Sequence, residues 1–300
     1  MSSTTPPRIL CFGEILWDFL PDGLFPGGAP FNVAYHLRQQ GADPRLVSAV
    51  GRDLLGDELL RRLRHWNMDT NLVTRHGGLP TGSVRAFVSA NGDARYEITP
   101  DVAWDQIFMN EEVARAAQDA RALVFGSLAQ RSPFNRTVLN RLLDVLPGRE
   151  KAWRVFDVNL RPPHDDLELV RALAPRSTLL KLNAGEAARL CADTAGAPGR
   201  EEAHARDLAG TTGCPLICIT SGKRGAGLLR EGRWHWEPGR PVAVVDTVGA
   251  GDAFLASLLL HLLNRRLPDS ECLARACRTG EWVASRRGAT PAYTADARCI

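Results

Sequence analysis

VAVVDTVGAGDAFLASLLLHLL, residues 242–263, is the stretch that decides the fold predicted for this chain. A Val-rich run at residues 242–245 predicts a strand, and the apolar run from residue 253 predicts a helix. Two glycines, Gly249 and Gly251, stand between them. Glycine lets the backbone approach a ligand closely, and the free N–H groups and dipole of a helix N-terminus attract anions. The stretch therefore predicts a strand, an anion-binding turn and a helix that packs on the core.

One carboxylate, Asp252, lies at this predicted helix start, and two roles are open for it. Asp is a common helix cap, and from this stretch alone capping is the favoured role. Asp252 could instead be the base that takes a proton from a hydroxyl, while the amides of Gly249, Ala250 and Gly251 hold a phosphoryl group in transfer. The stretch alone does not exclude either role.

Two other phosphate-binding loops fit the chain poorly. The dinucleotide fingerprint G-x-G-x-x-G/A has Phe254 at its third small position. The P-loop pattern fails because Gly222-Lys223 is followed by Arg224 instead of Ser or Thr, and the earlier glycine is missing. These departures weigh against a dehydrogenase and against a P-loop nucleotide site.

Strand-like and helix-like segments alternate over the rest of the chain. Short apolar runs predict strands at residues 8–13, 44–50, 122–126, 153–158, 178–182 and 216–220. A helix is expected at residues 32–40, and Asp53 can cap another in which Leu55, Leu59 and Leu63 share a face. Such alternation predicts an α/β fold with a mostly parallel sheet covered by helices on both faces.

One region departs from this alternation. Residues 81–90 and 94–99 are strand-like and are joined through Asn91-Gly92, a strong hairpin sequence. With residues 16–25 they could form a small antiparallel sheet beside the main one. The sheet is either a surface hairpin or a lid over a cleft at the carboxyl ends of the parallel strands.

Composition narrows the class of protein. The 300 residues are 44% hydrophobic and 24% charged, and the net charge of +3 without long charged runs gives no support to nucleic-acid binding. The longest apolar stretch, residues 253–263, is far below the ~18 residues of a membrane helix. Seven Cys without a CxxC pair or zinc-site spacing, and no export signal, predict reduced thiols in a cytoplasmic protein.

Five blocks of sequence resemble the motifs of the ribokinase-like (PfkB) carbohydrate kinases. DTVGAGD (246–252) is similar to their C-terminal signature, and GGAPFNVA (27–34), preceded by GEILWD (13–18), is similar to their N-terminal motif. DVNLRP (157–162), NAGE (183–186) and TSGKRG (220–225) follow in the family's order. The resemblance implies a three-layer α/β/α sandwich formed by one kinase domain over residues 1–300. It also implies a small β-sheet lid at about residues 14–28 and 81–100.

The resemblance assigns residues to the phosphoryl acceptor and to catalysis. The acceptor residues would be Asp18, Gly27, Gly28 and Asn32, with Asp252 as the base. The amides of Gly249, Ala250 and Gly251 would form the anion hole, and Arg161 would neutralise phosphate charge together with Mg²⁺. The residues themselves leave other roles open, because Asp18 could be a solvated loop carboxylate, Asn32 a helix N-cap and Arg161 an ordinary exposed arginine.

Further residues are assigned to the nucleotide and to cations. The nucleotide residues implied by the resemblance are Asn183, Thr220, Gly222, Gly225, Gly249, Gly251 and Gly288. Glu186 would contact Mg²⁺ through water, although a capping role for Asn183 and Glu186 at a helix start is equally open. Asp246, Val248 and Gly288 would form a site for a monovalent cation, K⁺. Asp157, Asn159 and Arg161 alternate after a strand and are expected to point into one cleft.

The resemblance favours an ATP-dependent fructokinase, which phosphorylates D-fructose. A carboxylate at Asp18 suits neutral hydroxyl donors and repels an anionic acceptor, although Arg161 could meet a substrate carboxylate. The alternatives are a 2-keto-3-deoxygluconate kinase, a ribokinase or a nucleoside kinase, and, in a different class, a catalytically silent sugar- or nucleotide-binding protein. The partners expected are a small sugar and ATP, without nucleic acid or membrane, and the resemblance leaves room for a homodimer through the lid.

Overall fold

The computed structural model describes residues 6–20, 23–88, 94–193 and 198–294. The strands in these residues are β1 (Arg8–Phe12), β2 (Leu16–Leu20), β3 (Gly23–Gly27), β4 (Asp43–Gly51), β5 (Val73–His76), β6 (Gly82–Val88), β7 (Ala94–Ile98), β8 (Ala122–Gly126), β9 (Trp153–Asp157), β10 (Leu179–Asn183), β11 (Leu216–Thr220), β12 (Gly225–Arg230) and β13 (Arg233–Pro238). The helices are α1 (Ala29–Gln39), α2 (Leu54–His65), α3 (Glu111–Gln118), α4 (Pro133–Val145), α5 (Leu167–Leu173), α6 (Ala184–Leu190), α7 (Glu201–Thr212), α8 (Ala250–Asn264) and α9 (Asp269–Ala284).

A large, mostly parallel sheet forms the centre of the molecule. In the described residues it has nine strands in the order β13-β12-β11-β10-β9-β8-β1-β4-β5. Every neighbouring pair from β11 to β5 is parallel, whereas β12 and β13 pair antiparallel at one edge. The predicted α/β sheet is confirmed. Because the strands are parallel, the loops that follow β1, β8, β9, β10 and β11 all leave from the same edge of the sheet.

Helices cover both faces of this sheet and enclose two apolar cores. Alternate residues of β1 point to opposite faces, so that Ile9 and Cys11 enter one core and Leu10 and Phe12 enter the other. The first core is completed by α1, α2, α8 and α9, and the second by α3, α4, α5, α6 and α7. Helix α8 is apolar on almost every side and is buried along most of its length, as residues 253–263 predict. The three-layer arrangement is confirmed.

The predicted small sheet is present, with strand order β3-β2-β6-β7, but it is mixed and not antiparallel throughout, because its two central strands, β2 and β6, pair parallel. Residues 16–25, expected as one segment, contain two strands, β2 and β3, which pair antiparallel. Strands β6 and β7 form the predicted antiparallel pair, and the Asn91-Gly92 turn lies outside the described residues. Trp17 ties this sheet to α2, because its buried indole N–H donates to the Leu55 carbonyl over 3.0 Å.

The strand predicted at residues 242–245 is wrong. This stretch belongs to no strand, and Val244 and Val245 are 62% and 64% exposed. The Val245 and Asp246 amides both donate to the Ala284 carbonyl, over 2.9 and 3.2 Å, at the end of α9. A four-residue apolar run carries no periodicity, so it cannot by itself distinguish a strand from an extended link. Here the antiparallel β13 already forms the sheet edge, and the run passes outside it.

Smaller differences concern where helices begin. Helix α1 starts at Ala29, three residues before the predicted start, because Pro30 has a backbone suited to a first helical turn. Asp53 caps α2 as predicted, accepting the Gly56 N–H over 2.8 Å. In the part of the chain that the structure describes, no helix has the length and apolarity needed to cross a bilayer.

Candidate active site

Most of the predicted site residues lie at the carboxyl edge of the parallel strands. Strand β9 ends at Asp157, β10 ends at Asn183, and β11 ends at Thr220, which pairs with Asn183 in register. The N-terminal ends of α1 and α8 reach the same edge. Ligands of open parallel sheets bind at this position, outside the carboxyl ends of the strands.

One hydrogen bond joins the two ends of the chain at this edge. The Asn32 amide Nδ2 donates to Oδ2 of Asp252 over 2.8 Å, across 220 positions of sequence. Neither residue caps its own helix, because the N-caps of α1 and α8 are Gly28 and Gly249 and neither cap position has a side-chain cap. The structure therefore does not adopt the capping roles that were open for Asn32 and Asp252. It places an amide and a carboxylate together at the candidate site.

Asp252 has the electrostatics of a proton acceptor. Burial, and next the negative charge of Asp157, raise the pKa of Asp252 to about 6, against the Asn32 hydrogen bond and the cations Lys181 and Arg161. Such a group is mostly ionised at neutral pH and is a far better base than an ordinary Asp. The Asp252 carboxylate is thus suited to accept a proton from an acceptor hydroxyl.

The turn before α8 is closely packed and needs glycine at position 249. Gly249 has φ of +76°, and a Cβ there would lie 2.6 Å from the Ala289 Cα atom. Asp246 clamps the turn, because its two carboxylate oxygens accept the Val248 N–H over 3.0 Å and the Gly288 N–H over 3.1 Å. The first-turn amides of a helix lack intrahelical acceptors and can bind an anion.

The residues predicted for the acceptor lie around a second pair of glycines. A Cβ at Gly27 would overlap the Asp18 carboxylate, and a Cβ at Gly28, where φ is +112°, would overlap the Glu14 carbonyl. Position 28 therefore requires glycine, whereas a Cβ at position 27 would displace the Asp18 side chain. Burial raises the pKa of Asp18 to about 6, and the nearby Arg161 charge acts in the opposite direction. The predicted residues Asp18, Gly27 and Gly28 therefore lie together.

Glu14 belongs to this side of the site, although the sequence reasoning quoted it without a role. Its side chain is 2% exposed, and Oε1 accepts the Ala29 N–H over 3.2 Å at the start of α1. Oε2 is buried without a hydrogen-bond partner among the described residues. Burial raises the pKa of Glu14 to about 7. A glutamate between an apolar strand and a glycine pair could have indicated such a site.

The segment after β9 differs from its prediction. Asn159 has φ of +41°, so residues 157, 159 and 161 do not alternate in one extended strand and do not share one face. Asp157 is instead buried, and both its carboxylate oxygens accept hydrogen bonds from Lys181 Nζ, over 2.8 and 3.1 Å. The sequence reasoning missed Lys181, although a lone lysine in the apolar strand LLKLN was a detectable sign.

Arg161 has a different environment from Asp157. Its side chain is exposed, and its Nη1 donates to the Leu160 carbonyl over 3.1 Å. The guanidinium lies close enough to Glu14, Asp18 and Asp252 to lower the pKa of each of these acids. It is therefore placed where it can meet a negatively charged substrate group.

Asn183 and Glu186, which the sequence assigned to the nucleotide and to Mg²⁺, form a capping box at the start of α6. Asn183 Oδ1 accepts the Glu186 N–H over 2.9 Å, and Glu186 Oε2 accepts the Asn183 N–H over 2.8 Å. Glu186 Oε1 accepts the Leu160 N–H over 2.7 Å. The capping arrangement that was open for this pair is thus the one observed. Each carboxylate oxygen keeps further acceptor capacity, so Glu186 fits a contact with Mg²⁺ through water.

The remaining nucleotide residues lie in two loops. Thr220 ends β11, and Gly222 and Gly225 frame the short turn that leads into β12. Gly225 has φ of +116°, and a Cβ there would overlap the Glu237 carbonyl. Gly288 is held to Asp246, as described above. Within residues 6–20, 23–88, 94–193 and 198–294, no group of three or more His, Cys, Asp or Glu side chains could hold a metal ion.

Comparisons with known proteins agree with this geometry. The model of a family described as pfkB family carbohydrate kinase matches residues 22–296. A fructokinase of Rhizobium leguminosarum bv. trifolii is 32% identical over 274 residues, covering 85% of this chain and 79% of that protein. The structure of a fructokinase with bound ATP from Xylella fastidiosa has a TM-score of 0.81 at 22% identity and covers 94% of both chains. That of a 2-dehydro-3-deoxygluconokinase from Thermotoga maritima has a TM-score of 0.82 at 19% identity, covering 94% of this chain and 95% of the other.

Proposed function

This chain belongs to the pfkB family of carbohydrate kinases, and on that premise we propose that it transfers the γ-phosphoryl group of ATP to a terminal hydroxyl of D-fructose. The observation that carries the proposal is the 2.8 Å hydrogen bond from Asn32 to Asp252. It joins α1, which carries Asn32 and follows the Gly27-Gly28 turn, to α8, whose N-terminus can hold a phosphoryl group. The fructokinase from Rhizobium supports the choice of sugar.

The reaction follows from the positions of these groups. Asp252 takes the proton of the acceptor hydroxyl while the oxygen of that hydroxyl bonds to the γ-phosphorus. The bond between this phosphorus and the β–γ bridging oxygen breaks, which releases ADP. Amides at the start of α8 and the Arg161 guanidinium stabilise the charge on the transferred group. When bound with ATP, Mg²⁺ supplies further charge neutralisation, and Glu186 would contact it through water. Closure of the small sheet as a lid would exclude water.

The acceptor side suits a neutral polyol. Two buried acceptor atoms, Glu14 Oε2 and Asn32 Oδ1, have no hydrogen-bond partner among the described residues. Buried polar atoms are costly unless they are paired, and hydroxyl groups of a sugar can pair them. Asp18 and Asp252 add two carboxylates, which disfavour an anionic acceptor. These features support fructose over 2-keto-3-deoxygluconate, and Arg161 is then free to act on phosphate.

A panel of acceptors tests this proposal. We expect kcat/KM to be highest for fructose when it is compared with ribose, adenosine and 2-keto-3-deoxygluconate under identical conditions. Asp18→Ala should raise KM for fructose far more than KM for ATP, while Asp119→Ala, at the C-terminal end of α3, should change neither. A higher kcat/KM for another acceptor would overturn the assignment of fructose and leave phosphoryl transfer in place. Binding without ATP consumption on any acceptor would favour the silent binding protein.

The cations form a separate part of the proposal. We propose that Glu186 supports Mg²⁺ through water, and that Asp246, Val248 and Gly288 bind K⁺. In support of the K⁺ site, the Asp246 carboxylate already brings the other two residues together. Glu186→Gln should raise the Mg²⁺ concentration needed for half-maximal rate. Rates that are the same in K⁺-free buffer would remove the K⁺ proposal alone.

We also propose a homodimer formed through the small sheet. Its outer strands, β3 and β7, each pair with a single neighbour in the described residues. Edge strands expose unpaired backbone N–H and C=O groups, which can pair with a second chain.

A further inference from the structure

A buried ion pair lies in the middle of the large sheet. Lys181 of β10 and Asp157 of β9 are opposite each other in register. Lys181 is 6% exposed and Asp157 is 3% exposed. The residues on either side of Lys181, Leu180 and Leu182, are fully buried. Both Asp157 oxygens accept hydrogen bonds from the ammonium. The pair is therefore complete in itself, and its charges are removed from water.

The Lys181 end of this pair lies directly under the start of α8. A Cβ placed on Gly251 would be 3.6 Å from Lys181 Nζ. The next residue, Asp252, is near enough to raise the pKa of Lys181, as is Glu186 from α6. The ammonium thus lies next to the turn that holds the candidate base and the candidate phosphoryl site.

Stability alone does not account for such a pair. Removing two charges from water costs several kcal/mol per ion, and apolar residues of similar volume often stabilise a core as well or better. An apolar pair between β9 and β10 would match the surrounding strands, which are otherwise rich in Leu, Val and Phe. The position of the pair beneath α8 indicates an electrostatic role instead.

We propose that Lys181, held by Asp157 under the Gly251–Asp252 turn, is a positioning residue that offsets the Asp157 charge next to the catalytic base. The proposal rests on the proposed function, in which Asp252 is that base. Without the ammonium, the buried Asp157 carboxylate would face Asp252 uncompensated and would favour the protonated, inactive base. Without Asp157, the ammonium would face Asp252 alone and would favour the ionised base.

The charges around Asp252 support this assignment. The Asp157 charge raises the pKa of Asp252, and the Lys181 and Arg161 charges lower it. Glu14, in the loop after β1, and Asp18, in β2, also interact with Asp252. Asn32 from α1 faces it as a neutral hydrogen-bond donor. Because Lys181 and Asp157 act in opposite directions, changing each alone should move the pKa of Asp252 in opposite directions.

The test is the pH profile of kcat/KM in two single variants and their double variant. Lys181→Met should shift the acid limb to higher pH, and Asp157→Asn should shift it to lower pH. Lys181→Met combined with Asp157→Asn should return the limb toward that of the wild type. A rise of one unit in the pKa of the base would lower kcat/KM by about fivefold at pH 6 and by only about a tenth at pH 8.

Two controls separate this effect from general damage. Lys151→Met removes an exposed lysine just before β9 and should leave the profile unchanged. Asp252→Asn should lower kcat/KM by at least ~10²-fold, and a near-native kcat/KM with an unchanged profile would overturn the base assignment on which this proposal rests. Circular dichroism and thermal unfolding establish that each variant is folded, and either single variant suffices to test the direction of its shift.

Three outcomes overturn the proposal. Wild-type limbs in both single variants would show that the pair does not act on the base, while the kinase assignment stands. Shifts in the same direction would show a loss of structure instead of a charge effect. If neither single variant folds while the double variant folds with wild-type kinetics, the pair serves only the fold.

Discussion

Three acids at the candidate acceptor site have pKa values above their ordinary range: Glu14, Asp18 and Asp252. Burial raises the pKa of Glu14 to about 7 and that of Asp18 and Asp252 to about 6. The Arg161 charge lowers the pKa of each of the three acids and so opposes the effect of burial. The three pKa values therefore lie close to neutral pH. Groups that titrate near the working pH are the ones that catalyse proton transfer best.

The first residue-scale prediction concerns Asp252. Asp252→Asn keeps the size of the side chain but removes the base, so kcat should fall by at least ~10²-fold. The thermal unfolding midpoint and the affinity for ATP should stay close to those of the wild type, since the side chain is replaced by one of the same shape. Near-native turnover in this variant would show that Asp252 is not the base.

The second concerns Glu14 and the stability of the protein. Its pKa in the folded state, about 7, lies above its ordinary value of 4.5, so its contribution to folding is full below pH 4.5 and is lost as pH rises through 7. Glu14→Gln does not titrate. Between pH 5 and pH 8, the free energy of unfolding of the variant relative to the wild type should therefore increase by about 2 to 3 kcal/mol.

Denaturant unfolding at both pH values measures this difference. A difference between variant and wild type that is the same at pH 5 and pH 8 would contradict a buried, titrating Glu14. If Glu14 also meets the acceptor, the same variant should raise KM for the sugar and leave KM for ATP unchanged.

At the scale of elements, the turn before α8 depends on backbone shape more than on side chains. Asp246 ties residues 248 and 288 together, and Gly249 starts the helix with a left-handed backbone that packs against Ala289. The start of α6 depends on side chains instead, because Asn183 and Glu186 each accept the other's backbone N–H.

The element-scale prediction is that Gly249→Ala will disrupt this turn. The alanine would have to adopt a left-handed backbone, and its Cβ would lie 2.6 to 2.7 Å from atoms of Ala289. The turn before α8 would therefore have to move away from the segment that contains Ala289. Activity should fall by at least tenfold, and the loss of stability should exceed the ~1–2 kcal/mol expected of a left-handed alanine alone.

Gly41→Ala is the matched control for this variant. Gly41 has φ of +87°, and a Cβ there would meet no atom within 4 Å. Gly41→Ala therefore has the unfavourable left-handed backbone of an alanine but no steric clash of its Cβ. Kinetic constants and denaturant unfolding of both variants give the comparison, and equal effects on stability and activity would show that packing against Ala289 is unimportant.

At the scale of the whole molecule, the candidate site is assembled from distant parts of the chain. One group of site residues, 14–32, lies between the end of β1 and the first half of α1, and the other, 157–252, lies between the end of β9 and the start of α8. Helices α1 and α8 pack together and bring the two groups into contact. The small sheet lies beside both, because the Phe25 ring is 3.8 Å from the position of a Cβ on Gly288. The residues proposed for the acceptor and those proposed for the nucleotide thus lie at one edge of the large sheet.

The whole-molecule prediction concerns assembly. If the edges of the small sheet pair with a second chain, light scattering at assay concentrations should give twice the mass of one chain. Dilution should then lower the apparent mass along a single dissociation curve. The mass of one chain at all concentrations would remove the homodimer proposal without affecting the kinase assignment.

The arrangement of strands and helices could be predicted from the sequence, because apolar periodicity, glycine pairs and capping residues act over a few neighbouring positions. Asp53 as the cap of α2 and the apolar burial of α8 are examples. Sequence motifs also indicated Asp18, Asn32 and Asp252. The strand predicted at residues 242–245 failed, because a short apolar run does not reveal whether a sheet edge is already occupied.

Tertiary structure alone decided how those residues meet. Asn32 caps no helix because α1 starts at Ala29 and brings its amide to Asp252, 220 positions away. Lys181 matters because β10 lies beside β9 and beneath α8, and Glu14 because the Gly28 turn closes over it. Charges act through space and change strength with burial, so their roles depend on which distant residues the fold places beside them. Local sequence sets which elements form, whereas the pKa of each acid is set only once those elements pack together.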